Sequence, residues 1–67
     1  MAIAKTVEIS AGSPDSFDDA VKQGIARAAK TIEGIREVWV KEQKAVIENN
    51  QVSEYRVHMK VTFLLKE

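Results

Sequence analysis

Between Glu54 and Phe63 the chain alternates polar and apolar side chains at every position. A period of two is typical of a β-strand that buries one face, because successive side chains of a strand point to opposite sides of the sheet. The pattern predicts a strand over residues 52–65. A strand with one apolar face is not stable alone, so the chain must supply neighbouring strands and a layer that covers this face.

Two further segments are predicted to form the neighbouring strands. Residues 35–47 lack a helical pattern and contain the strand-forming residues Val38, Trp39, Val40, Val46 and Ile47. Residues 48–51 have the sequence Glu-Asn-Asn-Gln, which is typical of a tight turn, and residues 4–11 alternate more weakly. The sequence therefore predicts a three-stranded antiparallel sheet. In this sheet 35–47 and 52–65 form a hairpin, and 4–11 lies at an edge or beside 52–65.

A single amphipathic helix is predicted between the first two strands. Ser13 is placed to cap it, Pro14 suits its first turn, and Asp15 brings a carboxylate to its N-terminal N–H groups. Small and apolar residues then recur at helical spacing, at Phe17, Ala20, Val21, Gly24, Ile25, Ala28 and Ile32. This pattern predicts a helix over 14–33, ending at Gly34. Gly24 inside the apolar stripe indicates close contact with the sheet or a neighbouring helix.

The chain is too short to bury a large core of its own. It has 67 residues, no cysteine and one histidine, so neither disulfides nor a Cys/His zinc site can reinforce it. Burial against copies of itself is the remaining means of stabilisation. We therefore predict a single α+β domain over 1–67 that forms a symmetric homo-oligomer.

Charge and motif content argue against several classes of function. The formal net charge is zero, which gives no long-range attraction to nucleic acid or to an anionic membrane. Residues 1–5 lack the apolar run of a signal peptide, and the absence of cysteine fits the cytoplasm. No nucleophile motif, Gly-rich phosphate loop or close His/Asp/Glu set is present. We predict a cytoplasmic protein that is not an enzyme and binds neither nucleic acid nor membrane.

The sheet face away from the helix is predicted to be polar and yet to contain a tryptophan. If Val38, Val40 and Val46 face the helix, the opposite face carries Glu37, Trp39, Lys41, Gln43, Arg56, His58 and Lys60. A tryptophan among charged side chains indicates a subunit contact or a ligand. We expect Arg56 to pair with Glu37 on an adjacent strand or subunit.

The order and spacing of several short motifs resemble the dodecin family over nearly the whole chain. The matching segments are Val7-Glu8-Ile9, Gly12-Ser13-Pro14, Ile25 to Thr31, and Tyr55 with the alternating residues up to Phe63. In dodecins a three-stranded antiparallel sheet wraps around one helix, and twelve copies form a hollow shell. The resemblance therefore implies an α+β subunit with the order β-α-β-β, assembled into a homododecamer that binds and stores flavin.

Two ligand-binding positions of the flavin-binding dodecins differ in this sequence. In those proteins a tryptophan early in the second strand stacks on the isoalloxazine ring, and a glutamine in the third strand binds the ring's polar edge. Here the tryptophan position is Glu37, with Trp39 two residues later, and the glutamine position is Arg56. Lys44 lies near the place where some relatives hold a basic group that contacts a phosphate. The Tyr55-Arg56 pair and Glu42-Gln43 resemble a second branch of the family, which includes a calcium-binding member.

The sequence leaves two functions open. In the first, the assembly binds riboflavin, FMN or FAD, with Trp39 as the stacking surface and Arg56 as the polar anchor. The other predicted ligand contacts are Glu37, Val38 and Lys44. In the second, the shell does not bind flavin, and Glu37 and Glu42 of symmetry-related copies hold calcium or magnesium, or the shell holds another anion or is structural. Trp39 then fills a subunit interface.

Overall fold

The computed structural model describes residues 3–65 and contains one helix and one three-stranded sheet. The elements are β1 (Ala4–Ser13), α1 (Phe17–Ala28), β2 (Ile35–Glu48) and β3 (Gln51–Leu64). The sheet is antiparallel in the order β1-β3-β2, so β3 is the central strand. The predicted α+β fold and its β-α-β-β order are confirmed. Residues 1, 2, 66 and 67 of the predicted single domain lie outside the described residues.

The core lies where α1 covers the alternating segment of β3. Val57, Met59 and Val61 are at most 2% exposed, and Ala20 of α1 is fully buried against them. The intervening side chains of β3 point away from the helix, as the period of two predicts. The strongest sequence signal thus corresponds to the central strand.

A two-residue turn joins β2 to β3. Glu48 pairs with Gln51, and between them Asn49 and Asn50 have φ angles of 51° and 63°. Asparagine tolerates this left-handed region better than other residues with a β-carbon, and two such residues in succession give the turn whose twist suits a hairpin. The predicted hairpin is confirmed.

The register of β2 against β3 shifts at three places, and the shift beside the candidate site is a β-bulge at Lys41. Val40 lies opposite Met59, whereas Glu42 lies opposite His58, so Lys41 is an extra residue in β2. Since a strand alternates faces, the extra residue exchanges the two faces of β2 from that point on. Side chains after the bulge therefore lie on the side opposite to the one that simple alternation predicts.

The bulge corrects two predicted orientations. Val46 lies opposite Glu54 and so faces away from the helix, while Gln43 lies opposite Val57 and so faces toward it. The prediction that Val46 packs under the helix is wrong, and so is the placement of Gln43 beside Trp39. We call the side of the sheet away from α1 the polar face. It carries Thr6, Glu8, Ser10, Glu37, Trp39, Lys41, Glu42, Lys44, Arg56, His58, Lys60 and Thr62.

The helix begins later than predicted, because Ser16 rather than Ser13 caps it. The Oγ of Ser16 accepts a hydrogen bond from the backbone N–H of Asp19 at 2.9 Å. Ser13 instead ends β1 and is 1% exposed, and its hydroxyl donates to Asp19 Oδ2 at 2.6 Å. Its Oγ also accepts from the N–H of Asp15 at 3.0 Å, so Pro14 lies in a turn before the helix.

The helix also ends earlier than predicted, at Ala28 instead of residue 33. The N–H groups of Lys30 and Thr31 bond to carbonyls three residues back, which tightens the chain out of the α-helix. Gly34 follows at φ 75° and accepts a hydrogen bond from the N–H of Leu64 at 3.1 Å. A glycine at this positive φ lets the chain turn directly into β2.

The sheet is much longer than the helix that covers it. Twelve helical residues span about 18 Å, whereas fourteen strand residues span about 46 Å. Beyond the last β1 pair, Ser13 with Tyr55, residues 46–54 continue as a two-stranded extension that we call the hairpin arm. No helix within residues 3–65 has the length and hydropathy needed to cross a membrane.

Candidate functional site

Trp39 lies in a shallow depression on the polar face. It is 61% exposed and sits opposite Lys60, whose Nζ lies 5.3 Å from the centroid of the indole ring. The depression is also lined by Thr6, Glu37, Val38 and Thr62. The hydroxyls of Thr6 and Thr62 lie 3.2 Å apart and form its floor beside the ring. An exposed aromatic face with hydroxyl and charged groups around it is suited to a planar, polar-edged ligand.

Glu8 connects the three strands next to this depression. Its Oε1 lies 3.3 Å from Lys41 Nζ and its Oε2 lies 3.6 Å from His58 Nε2. The hydrogen bond and the charge of Lys41 hold the pKa of the Glu8 carboxyl below its usual value, and the nearby His58 and Lys60 act in the same direction. Glu8 is therefore a carboxylate at neutral pH, with both oxygens in use.

His58 continues this network to β1. Its Nδ1 lies 2.9 Å from Ser10 Oγ, so both ring nitrogens have partners on β1. Sequence reasoning did not identify the contacts of Glu8 and Ser10 with His58. The signal that could have revealed these contacts is the antiparallel register of β1 and β3, which places Ser10 opposite His58 and Glu8 opposite Lys60.

A second depression lies further along the polar face. It is lined by Ser10, Glu42, Lys44, Arg56, Val57 and His58. Lys44 lies directly opposite Arg56, and the guanidinium of Arg56 forms an ion pair with Glu54. The expected Arg56–Glu37 pair does not form within the subunit, because the register places Glu37 opposite Thr62, far along β3 from Arg56.

The predicted ligand residues fall into two groups. Glu37, Val38 and Trp39 border the first depression, although Val38 packs against the core on the helix side. Arg56 and Lys44 belong to the second depression. The β3 partners of Trp39 and Lys44 are Lys60 and Arg56, four positions apart, which corresponds to about 13 Å. One subunit therefore does not bring Trp39 and Arg56 onto the same ligand ring.

The predicted metal ligands Glu37 and Glu42 share the polar face. We expected them on opposite faces, and the bulge at Lys41 overturns that expectation. They lie opposite Thr62 and His58, about 13 Å apart along β3, whereas calcium requires oxygens at about 2.3–2.6 Å. Within residues 3–65 no three His, Cys, Asp or Glu side chains converge as a metal site would require.

A sequence model of the dodecin family matches residues 3–66. The chain belongs to the dodecin family. Dodecins are small binding and storage proteins, and the fold agrees closely with solved dodecins. An arginine-to-alanine variant of the Thermus thermophilus dodecin is 33% identical, with a TM-score of 0.95 and 100% of both chains covered. The dodecin from Streptomyces davaonensis is 30% identical, with a TM-score of 0.95 over 98% of this chain and 97% of that one.

A third dodecin relative is the calcium dodecin of Mycobacterium tuberculosis. It is 27% identical over 66 residues, which cover 98% of this chain and 93% of the relative. Its crystal structure, described as having a novel calcium-binding site, is 26% identical over 96% of this chain and 91% of that one. The TM-score of 0.83 is lower than for the other two dodecins.

Proposed function

We propose that this dodecin binds and stores a flavin, with Trp39 as the stacking surface, inside a closed homododecamer. The observation that carries the proposal is the exposure of the Trp39 ring on the polar face, where an isoalloxazine could cover it. Riboflavin, FMN and FAD share that ring system. The proposed activity is binding and not catalysis.

The shape of the subunit supports self-assembly. The described residues extend over 51 × 20 × 13 Å with a radius of gyration of 13.7 Å, whereas a compact chain of this length is expected near 11 Å. Large apolar side chains are exposed at both ends of the sheet, namely Ile3, Ile47, Val52 and Leu65. Copies of the chain packed around these ends would bury surface that a lone subunit leaves in water.

The separation of the two depressions gives Arg56 a specific role in the assembly. Because Arg56 lies about 13 Å along β3 from the Trp39 site, the polar anchor must come from a neighbouring copy. Lys44 lies opposite Arg56, so the two cations together suit the phosphate of FMN or FAD. The proposed site is complete only between subunits.

Fluorescence titration of riboflavin and FMN into the assembled protein tests the proposal. Trp39 is the only tryptophan, so its emission reports on the site directly. We expect saturable quenching of both flavin and tryptophan emission. Trp39→Ala should weaken binding about 5- to 150-fold, since stacking on an aromatic side chain contributes about 1–3 kcal/mol. Trp39→Phe should retain part of the affinity.

The assembly mass of each variant, measured by sedimentation, provides the control. Unchanged affinity in Trp39→Ala would overturn the role of Trp39 as the stacking surface. If Trp39→Ala instead produces smaller species, the ring belongs to a subunit interface. Absence of quenching in an intact wild-type assembly would show that this dodecin holds a different ligand.

A calcium-binding function is the second candidate, favoured by the similarity to the Mycobacterium tuberculosis calcium dodecin. Glu37 and Glu42 lie on one face, but a single subunit does not bring them within reach of one ion. Copies related by symmetry could gather either carboxylate around an axis. This candidate therefore also depends on assembly.

Removal of metal tests this candidate. If calcium binds the folded assembly, treatment with EGTA should lower its melting temperature, and millimolar CaCl2 should restore it by mass action. Glu37→Gln or Glu42→Gln should abolish the response, while Glu48→Gln at the end of β2 should leave it unchanged. Melting curves that are the same with chelator and with calcium would eliminate the calcium site.

A further inference from the structure

The ring of Trp39 already has a cation on it in the free subunit. Lys60 lies on β3 between Glu8 of β1 and Trp39 of β2, and its ammonium is 5.3 Å from the indole centroid. At this distance the ammonium is attracted to the negative face of the ring. A ligand that stacks on this face must displace Lys60.

Among residues 3–65, Lys60 has no ion-pair partner that could hold it elsewhere. Glu8 is its nearest cross-strand carboxylate, but the two oxygens of Glu8 are engaged by Lys41 and His58. None of the ion pairs found within residues 3–65 includes Lys60 or Glu37. The ammonium of Lys60 thus contacts the ring in place of a counter-ion.

This arrangement discriminates between ligands by charge. A neutral aromatic ligand displaces the ammonium of Lys60 from the ring and offers it no ion pair. An anionic aromatic ligand also removes it from the ring, but then pairs with it. The same stacking surface is therefore harder for the neutral ligand to use.

We infer that Lys60 makes the Trp39 site selective for flat aromatic ligands that carry negative charge. The inference rests on the proposed function, since it requires a ligand stacked on Trp39, and it adds the ligand's charge to that function. Lys60 then acts as a specificity-determining residue that occupies the site until an anionic ligand arrives.

FMN and riboflavin provide the test, because they share the ring and differ by one phosphate. In the wild-type assembly FMN should bind more tightly, and its advantage should shrink as NaCl is raised. In Lys60→Gln riboflavin should bind about two- to fivefold more tightly, because the ring is free. The affinity for FMN should not rise, because the freed Trp39 ring is offset by the lost ion pair between Lys60 and the phosphate. The ratio of the two affinities therefore falls, whereas Lys60→Arg should keep it.

Lys5→Gln is the matched control. It removes the same charge close to the site but from the other side of the sheet, since Lys5 pairs with Phe63, and it leaves Glu8 engaged by Lys41. An equal fall of the affinity ratio in Lys5→Gln would reduce the effect to the overall charge of the subunit and overturn the inference. An unchanged ratio in Lys60→Gln would overturn it as well, with the proposed function intact. If wild-type protein binds neither flavin, the proposed function fails and the inference fails with it.

Discussion

Gly24 is a point of close approach between the helix and the sheet. A β-carbon built at this position would lie 2.7 Å from Met59 Cε and 3.0 Å from Ala11 Cβ. The Met59 side chain could move its terminal methyl, but the β-carbon of Ala11 is fixed to the β1 backbone. The close approach predicted at Gly24 is therefore to Ala11 of β1 and to the buried side chain of Met59.

Gly24→Val should therefore destabilise the protein. Helix propensity alone would favour valine over glycine, but crowding against Ala11 should cost about 1–3 kcal/mol. Thermal or denaturant unfolding of the assembly measures the change. Ala26→Val, on the exposed side of the same helix, is the control and should have a small effect. Greater stability in Gly24→Val than in the wild type would contradict the contact.

The proposed selectivity depends on Lys60 and Trp39 as a cross-strand pair and on neither residue alone. Both were expected on the polar face, but the contact between them depends on register, which places Trp39 directly opposite Lys60. A shift of one residue in β2 would turn the indole toward the core. The site depends on pairing as much as on residue type.

At the scale of elements, the sequence predicted what is periodic and missed what depends on local hydrogen bonding. The alternation centred on Met59 gave the central strand, and the two asparagines gave the hairpin turn. The helix was predicted three residues too long at its start, because Ser13 and Ser16 both suit a cap, and five too long at its end, where hydrogen bonds to carbonyls three residues back end the α-helix. Only the pairing of Ser13 with Tyr55 assigns Ser13 to β1.

The bulge at Lys41 explains most of what could not be predicted of the candidate site. Alternation correctly placed Trp39 and Glu37 on the polar face, since both precede the bulge. It failed for Glu42, which lies on the polar face because Lys41 is an extra residue in β2. Neither composition nor periodicity marks this extra residue. The residues of the candidate site could therefore be predicted from the sequence. The separation of Trp39 and Arg56 into two depressions could not, because it depends on the strand register.

At the scale of the whole molecule, the hairpin arm is the part that a lone subunit supports least. Residues 46–54 have no β1 neighbour and no helix over them, and Ile47 and Val52 pair across the arm while 56% and 44% exposed. A two-stranded arm with an exposed apolar pair is marginally stable in water. Contact with another copy of the chain would cover it.

Charges placed on this pair should therefore break up the assembly. Ile47→Asp with Val52→Asp removes roughly 1.5–3 kcal/mol of apolar burial per subunit, because only about half of each side chain is left to be covered, and adds two charges to the proposed contact. Sedimentation should show smaller species. Asn50→Asp with Gln51→Glu adds the same charge to the arm without removing an apolar contact, and should leave the mass unchanged. An assembly of normal mass in the first variant would place the arm outside the subunit contacts.

The bulge in β2 also determines how many residues a ligand-binding side chain must be moved along the strand to remain on the polar face. Before Lys41 a side group stays on the polar face when it moves by two residues, as between Glu37 and Trp39. Across the bulge, a side chain must move by three residues to stay on this face, as from Trp39 to Glu42. Beyond the bulge the spacing is two residues again, as from Glu42 to Lys44. Binding groups in this strand can therefore be exchanged among positions 37, 39, 42 and 44. A single-residue deletion at 41 would remove the bulge and still leave positions 42 and 44 on the polar face, because Glu42 would follow Val40 directly and keep its pairing with His58.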